Sequence, residues 1–121
     1  QAEVECWTDW VFLNGMIPVM EAFRNQFEGF RDHALPGRRP VAQIPALVER
    51  GRKRFQHFLD DLDQRLQTRP WVAGKNLSVA DIDVLVAIEF AERAIKLAPS
   101  SEHRATADWR ERFSDRLKAA H

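Results

Sequence analysis

The stretch that most constrains this chain is Leu77-Ser78-Val79-Ala80-Asp81-Ile82, which opens an apolar run reaching Ala91. Ser78 and Asp81 stand at the spacing of a capping box, with Asp in the place of Glu or Gln. The serine hydroxyl can accept from the backbone N–H of Asp81, and the Asp81 carboxylate can return to the N–H of Ser78. Leu77 and Ile82 fall at the N′ and N4 positions, whose side chains close a hydrophobic staple. Asp81 also sets negative charge at the positive end of the helix dipole. From Val79 to Ala91 only Asp81, Asp83 and Glu89 are polar, and a helix that is apolar nearly all round is a buried one. The pattern predicts a buried central helix that begins at Val79 and runs to about Leu97, where Pro99 ends it.

The other segments are predicted to pack around that helix. Residues 2 to about 32 read as one long helix: Phe12, Met16, Val19, Phe23, Phe27 and Phe30 recur at steps of three and four. A second apolar line, Trp10, Leu13, Ile17 and Met20, runs beside the first, with Trp7, Val11 and Pro18 on the third side. Pro18 is expected to kink this helix, because it lacks an N–H and crowds the preceding turn. So much apolar surface between Trp10 and Met20 has two readings. Either the segment crosses the centre of the core, or part of it packs on another domain or subunit.

Leu35-Pro-Gly-Arg-Arg-Pro40 is a loop by its Pro and Gly content. A second long helix follows, from Val41 or Ile44 to Thr68, with Leu47, Gly51, Phe55, Phe58, Leu62 and Leu66 as its inner stripe. Gly51 costs about 1 kcal/mol of helix propensity relative to Ala, and a close helix crossing would be the reason to keep it. The outer face, with Glu49, Arg50, Arg52, Lys53, Asp60, Asp61, Asp63 and Arg65, reads as solvated. Arg69-Pro70 stops this helix, and Gly74-Lys-Asn76 turns the chain into the Ser78 cap. Ser100 or Ser101 is expected to cap a last helix whose narrow stripe is Ala105, Trp109, Phe113 and Leu117, with Arg104, Arg110, Arg112 and Arg116 in water. No strand-like alternation of useful length appears. The fold class is all-α: one domain over residues 1–121, a bundle of about four to five helices around the buried central one.

With 121 residues the chain can form one domain with a core of moderate size. Its formal net charge of zero supplies no field toward nucleic acid or an anionic membrane, and no apolar run approaches the roughly 20 residues of a membrane span. The single cysteine, Cys6, cannot form an internal disulfide and fits a reducing compartment. The first residues lack the basic start and apolar core of a signal peptide, so a cytoplasmic location is expected. The chain does not begin with Met, which suggests a piece of a longer protein.

A catalytic constellation is not legible. His33, His57, His103 and His121 lie in different segments with no pair at ligand spacing, so no metal site is expected. There is no Gly-rich phosphate loop, and Cys6 has no evident base nearby. Asp81 is accounted for as a cap. Asp83, inside an apolar run, needs either a hydrogen-bonded partner or an exposed position.

Trp71-Val72-Ala73-Gly74, a short polar link, and then Leu77-Ser-Val-Ala-Asp81-Ile82 resemble the C-terminal helical domain of cytosolic, bacterial-type glutathione transferases. A kinked first helix, a second long helix and a late Ala107-Asp-Trp109-Arg110-Glu-Arg112-Phe113 segment come in that family's order, so the resemblance covers the whole chain. It implies that a thioredoxin-like N-terminal domain, absent from this chain, binds glutathione and supplies the catalytic residue; no catalytic residue is expected here. The helical domain would form the wall of the pocket for a hydrophobic electrophile and part of a homodimer interface. The family's pocket-lining turns of the first helix fall on Trp10, Leu13, Asn14, Met16 and Ile17, and a bulky pocket residue late in the central helix falls near Phe90. For each of these, plain core packing is the competing reading. Some bacterial relatives carry polar or basic residues at the positions of Met16 and Ile17; the apolar pair here suits an apolar electrophile. The alternative reading is a non-catalytic relative that uses the same helical domain as an interaction or scaffold module. Neither reading involves nucleic acid or a membrane, and glutathione would be a co-substrate of the full-length protein, with no cofactor bound by this segment.

Overall fold

The computed structural model describes residues 2–120; His121 lies outside them. Its helices are α1 (Ala2–Val11), a π-helical turn (Phe12–Met16), α2 (Ile17–Gln26), a 3-10 turn (Glu28–Phe30), α3 (Pro45–Leu66), α4 (Val79–Ala94) and α5 (Arg104–Ala119). No strand is present among the described residues, and only isolated bridges, His33 to Val41 and Trp71 to Gly74, pin the loops. The chain is an all-α bundle, as its periodicities require.

The first long helix is not continuous. Its irregularity is the π turn immediately before Pro18, where the N–H of Ile17 reaches back five residues to the carbonyl of Phe12. A proline cannot donate and its ring crowds the carbonyl four residues back, and a widened turn ahead of it relieves that crowding. The helix also ends earlier than its aromatic stripe suggested. Phe27 turns extended, with φ −72° and ψ 129°, so Phe30 belongs to a separate 3-10 turn.

The α2–α3 crossing is close at Gly51. A Cβ placed there would lie 2.6 Å from the Pro18 carbonyl oxygen and 2.9 Å from the Ala22 nitrogen. The contacts are backbone, so they cannot yield by a side-chain rotation. Gly15 has a similar role against the Phe58 ring, 3.0 Å from where its Cβ would sit, and Trp10 covers the same ring at a centroid distance of 4.9 Å.

Helix α4 begins at the expected cap. Asp81 Oδ2 accepts from the N–H of Ser78 at 2.9 Å, and Ser78 Oγ accepts from the N–H of Ala80 at 3.2 Å. Leu77 packs on the core but Ile82 remains half-exposed, so the staple is not a buried pair. The helix is buried along Ala80, Asp81, Val84, Ala87, Ile88 and Ala91. Its opposite side is not: Val79, Ile82 and Val86 are all about half-exposed, which corrects the expectation of burial all round. α4 stops at Ala94, ahead of Pro99. Lys96 takes a left-handed conformation (φ 55°), and the N–H of Leu97 closes back on the Ala91 carbonyl.

The last helix starts at Arg104 without a serine cap. Ser100 closes the preceding turn, its Oγ accepting from the N–H of Glu102. One backbone donor of the first turn of α5 goes to another helix: Asp63 Oδ1 on α3 accepts from the Thr106 N–H at 2.8 Å and from the Thr106 hydroxyl at 2.9 Å. Asp63 therefore caps α5 from outside and is itself buried, where the sequence had suggested a solvated position. Several arginines assigned to water also tie elements together. Arg50 pairs with Glu21, Arg52 donates to the Ile95 carbonyl, Arg65 to that of Val72, Arg112 to that of Pro70, and Arg110 forms a two-pronged pair with Glu92.

Ser78→Ala is expected to cost about 1 kcal/mol, the usual value of a cap. Asp81→Ala is expected to cost at least about 3 kcal/mol, since it strands buried donors at about 1–3 kcal/mol each; chemical denaturation of the two variants checks the order. Gly51→Ala is expected to destabilise by about 1–3 kcal/mol through overpacking, despite its better helix propensity. A variant as stable as the parent would mean that α2 and α3 can move apart freely.

Candidate functional site

Asp81 is the polar centre of the domain and is fully buried. Oδ2 holds the cap of α4, while Oδ1 accepts from the Val72 N–H at 2.9 Å and from the Trp109 indole N–H at 2.8 Å. All of its partners are internal, so it has no free capacity for a ligand. Its function is structural, and it sets the position of the α4 face described next.

That face meets the π turn. Val11, Phe12 and Met16 from the first segment and Asp83 and Val86 from α4 line a shallow groove of 170 Å³. Ligand pockets commonly measure about 300–1,000 Å³ and bury most of the molecule they hold. A groove this small cannot by itself enclose a ligand of that size. Phe12 and Val86 in the groove, and Leu13, Val79 and Ile82 elsewhere on the same two segments, are each about half-exposed. On α4, Val79, Asp83, Val86 and Phe90 follow at steps of four, three and four, along one side of the helix. The line ends at Phe90, which meets Phe23 edge-to-face at 5.8 Å.

The residues assigned from the resemblance divide by this geometry. Met16 lies in the groove wall, and Phe90 continues the same side of α4 into the Phe23–Phe27–Phe30 cluster. Trp10 turns toward α3 and sits between Trp7 and Phe58. Leu13 and Asn14 are exposed; the Leu13 carbonyl accepts from Arg54, and the Asn14 amide donates back to the Trp10 carbonyl. Ile17 is half-buried at the start of α2. Phe12, Asp83 and Val86 are groove residues that the sequence did not single out as a site. The signal for Asp83 was present, as a carboxylate without an evident partner. The signal for Phe12 was also present, as a member of the Phe12–Met16 stripe, but that stripe read as core packing and not as a site.

Two other features have simpler roles. Ser100, His103 and Asp60 form a line, with Ser100 Oγ 3.2 Å from His103 Nδ1 and His103 Nε2 2.7 Å from Asp60 Oδ1. Nδ1 already accepts the Ser100 backbone N–H at 2.9 Å, which leaves no lone pair to activate the hydroxyl. The line fastens the turn before α5 to α3. A wider trough of 780 Å³ lies between Glu3–Val4 and loop residues including Arg69, Lys75 and Asn76; no exposed apolar helix face enters it. Among the described residues no group of three or more His, Cys, Asp or Glu side chains could hold a metal ion, and no helix is long and apolar enough to cross a membrane.

The family model for the glutathione S-transferase C-terminal domain matches residues 45–119, from the first residue of α3 to the last of α5. The chain therefore belongs to the family of glutathione S-transferase C-terminal domains. It is 34% identical over 87 residues to glutathione S-transferase 2 of Saccharomyces cerevisiae, a match that covers 69% of this chain and 37% of the yeast protein. Among solved structures it is similar to a Gtt2-class glutathione S-transferase of Vibrio parahaemolyticus, with a TM-score of 0.73 and 29% identity, covering 93% of this chain and 49% of that one. It is also similar to Gtt2 of Saccharomyces cerevisiae, with a TM-score of 0.79 and 26% identity, covering 93% and 51%. The chain thus spans about half the length of these structures and less of the curated relative.

Burial raises the pKa of Asp83 above the ordinary aspartate value of 3.8. For an acid, a raised folded-state pKa means that ionisation opposes folding. The penalty is fully present above the folded pKa and vanishes below 3.8. Asp83→Asn is therefore expected to melt above the parent at pH 7, with the gap closing as the pH falls toward 4. Equal melting temperatures at pH 7 would contradict it.

Proposed function

We propose that this chain forms the electrophile-binding wall of a glutathione-conjugating enzyme. The observation that carries the reading is the groove of Phe12, Met16 and Val86, of which Phe12 and Val86 are half-exposed, in a domain of the glutathione S-transferase family. The missing wall would come from a thioredoxin-like domain that binds glutathione and lowers the pKa of its thiol with electropositive surroundings and hydrogen-bond donors. The thiolate sulfur would attack an apolar electrophile held against Phe12, Met16 and Val86, with Phe90 prolonging the wall. Leu13, Asn14 and Ile17 would border the covering domain, and Trp10 would stiffen the wall from behind. The full protein would act as a cytoplasmic homodimer, with detoxification of electrophiles as its role.

Exposed apolar surface supports this assignment, because patches of this kind on a folded domain mark contact with another molecule or domain. A protein-interaction or scaffold role uses the same surface without chemistry, and activity separates the two.

The test joins the chain to its thioredoxin-like domain and measures glutathione conjugation to an activated aryl chloride. Val86→Trp is expected to raise the KM for the aryl chloride about tenfold, a loss of about 1.4 kcal/mol, with little change in the KM for glutathione. An unchanged KM would remove Val86 from the pocket, and absence of conjugation by the parent would favour the scaffold role. The 121-residue chain alone is expected to show no conjugation.

A further inference from the structure

The acids of this domain that are not fully exposed are Glu21, Asp63, Asp81, Asp83 and Glu92. Four of them are neutralised or saturated by their surroundings. Glu21 meets Arg50, Glu92 meets Arg110, Asp63 accepts twice from Thr106, and Asp81 accepts from Val72, Ser78 and Trp109. Asp83 differs. No hydrogen bond or ion pair reaches its carboxylate among the described residues, and burial by apolar neighbours is the sole cause of its displaced titration. It lines the groove of Phe12, Met16 and Val86.

A half-buried carboxylate beside apolar side chains is poorly compensated, and a hydrogen-bond donor or positive charge placed there satisfies it. An anion placed there meets a like charge where water screens it less than at an open surface. Resting on the pocket reading above, we propose that Asp83 is the specificity residue of the groove and selects apolar ligands that carry a cationic or hydrogen-bond-donating group, such as aryl amines, against acidic ones. The apolar part lies on Phe12, Met16 and Val86, and the donor group points to the Asp83 carboxylate. Asp83 takes no part in the bond-making step; it sets which molecules are held.

The experiment measures dissociation constants from the two-domain protein by calorimetry at pH 7.5 for three probes of similar size: 1-naphthylmethylamine as a cation, 1-methoxynaphthalene as a neutral molecule without a donor and 1-naphthoate as an anion. The parent is expected to bind the cation roughly three- to tenfold more tightly than the neutral probe, in the range of a partly exposed charge-assisted contact, and the anion most weakly. Asp83→Asn is expected to bring the cation and anion within about twofold of the neutral probe, whose own affinity changes little. Val86→Trp is expected to weaken all three. If the neutral probe binds and Val86→Trp weakens it, but the parent does not discriminate by charge or Asp83→Asn keeps the discrimination, the pocket stands and the specificity proposal falls. If no probe responds to Val86→Trp, the pocket reading itself falls. Equal binding of the three probes, with Asp83→Asn lowering the melting temperature of the two-domain protein, would give the carboxylate to a basic side chain of the covering domain and overturn the proposal.

Discussion

Everything else in this domain depends on one buried carboxylate. Asp81 accepts from the N–H of Ser78, from that of Val72 and from the indole of Trp109. These donors come from the start of α4, the loop before it and the middle of α5. A fully buried carboxylate is tolerated only when its lone pairs are met, so the three segments are held together by one requirement. The indole benefits equally, since a buried tryptophan N–H needs an acceptor and Trp109 has no exposed surface. The position of α4 follows, and with it the half of the groove that α4 supplies.

A second internal acid does for α5 what Asp81 does for α4. Asp63 lies on α3 and accepts from the Thr106 N–H in the first turn of a helix that begins 41 residues later with Arg104. The two carboxylates lie at opposite ends of one packing problem: short helices in a small domain leave orphan N–H groups that water cannot reach. Arginines complete the frame by reaching carbonyls at helix ends and loops, as Arg52 does at Ile95 and Arg65 at Val72. Against this frame, Asp83 stands out as a part-buried carboxylate with no hydrogen bond or ion pair among the described residues.

Much of the fold was legible because its signals were local. The cap of α4 is written in four residues, the stripes of α3 and α5 in their periodicity, and the close crossing in a glycine at a stripe position. The misreadings also have local causes. The aromatic repeat through Phe30 disguised the break at Phe27, since a 3-10 turn can return an aromatic to the same side. The serines before α5 looked like caps because nothing nearby announced that Asp63 would cap from another helix. The groove was less legible. Met16 was reachable through the resemblance, but only the packed helices show that Phe12 and Met16 meet Asp83 and Val86 in a groove while Trp10 packs on Phe58.

By itself, the sequence determined the class of fold, the start of the central helix and the inner stripe of α3, because helix caps and hydrophobic periods act over distances of a few residues. Tertiary structure alone decided the rest: which acids find partners, which arginines leave water, and which side of α4 stays uncovered. Those outcomes depend on side chains brought together from positions tens of residues apart, and their geometry exists only once the helices have packed.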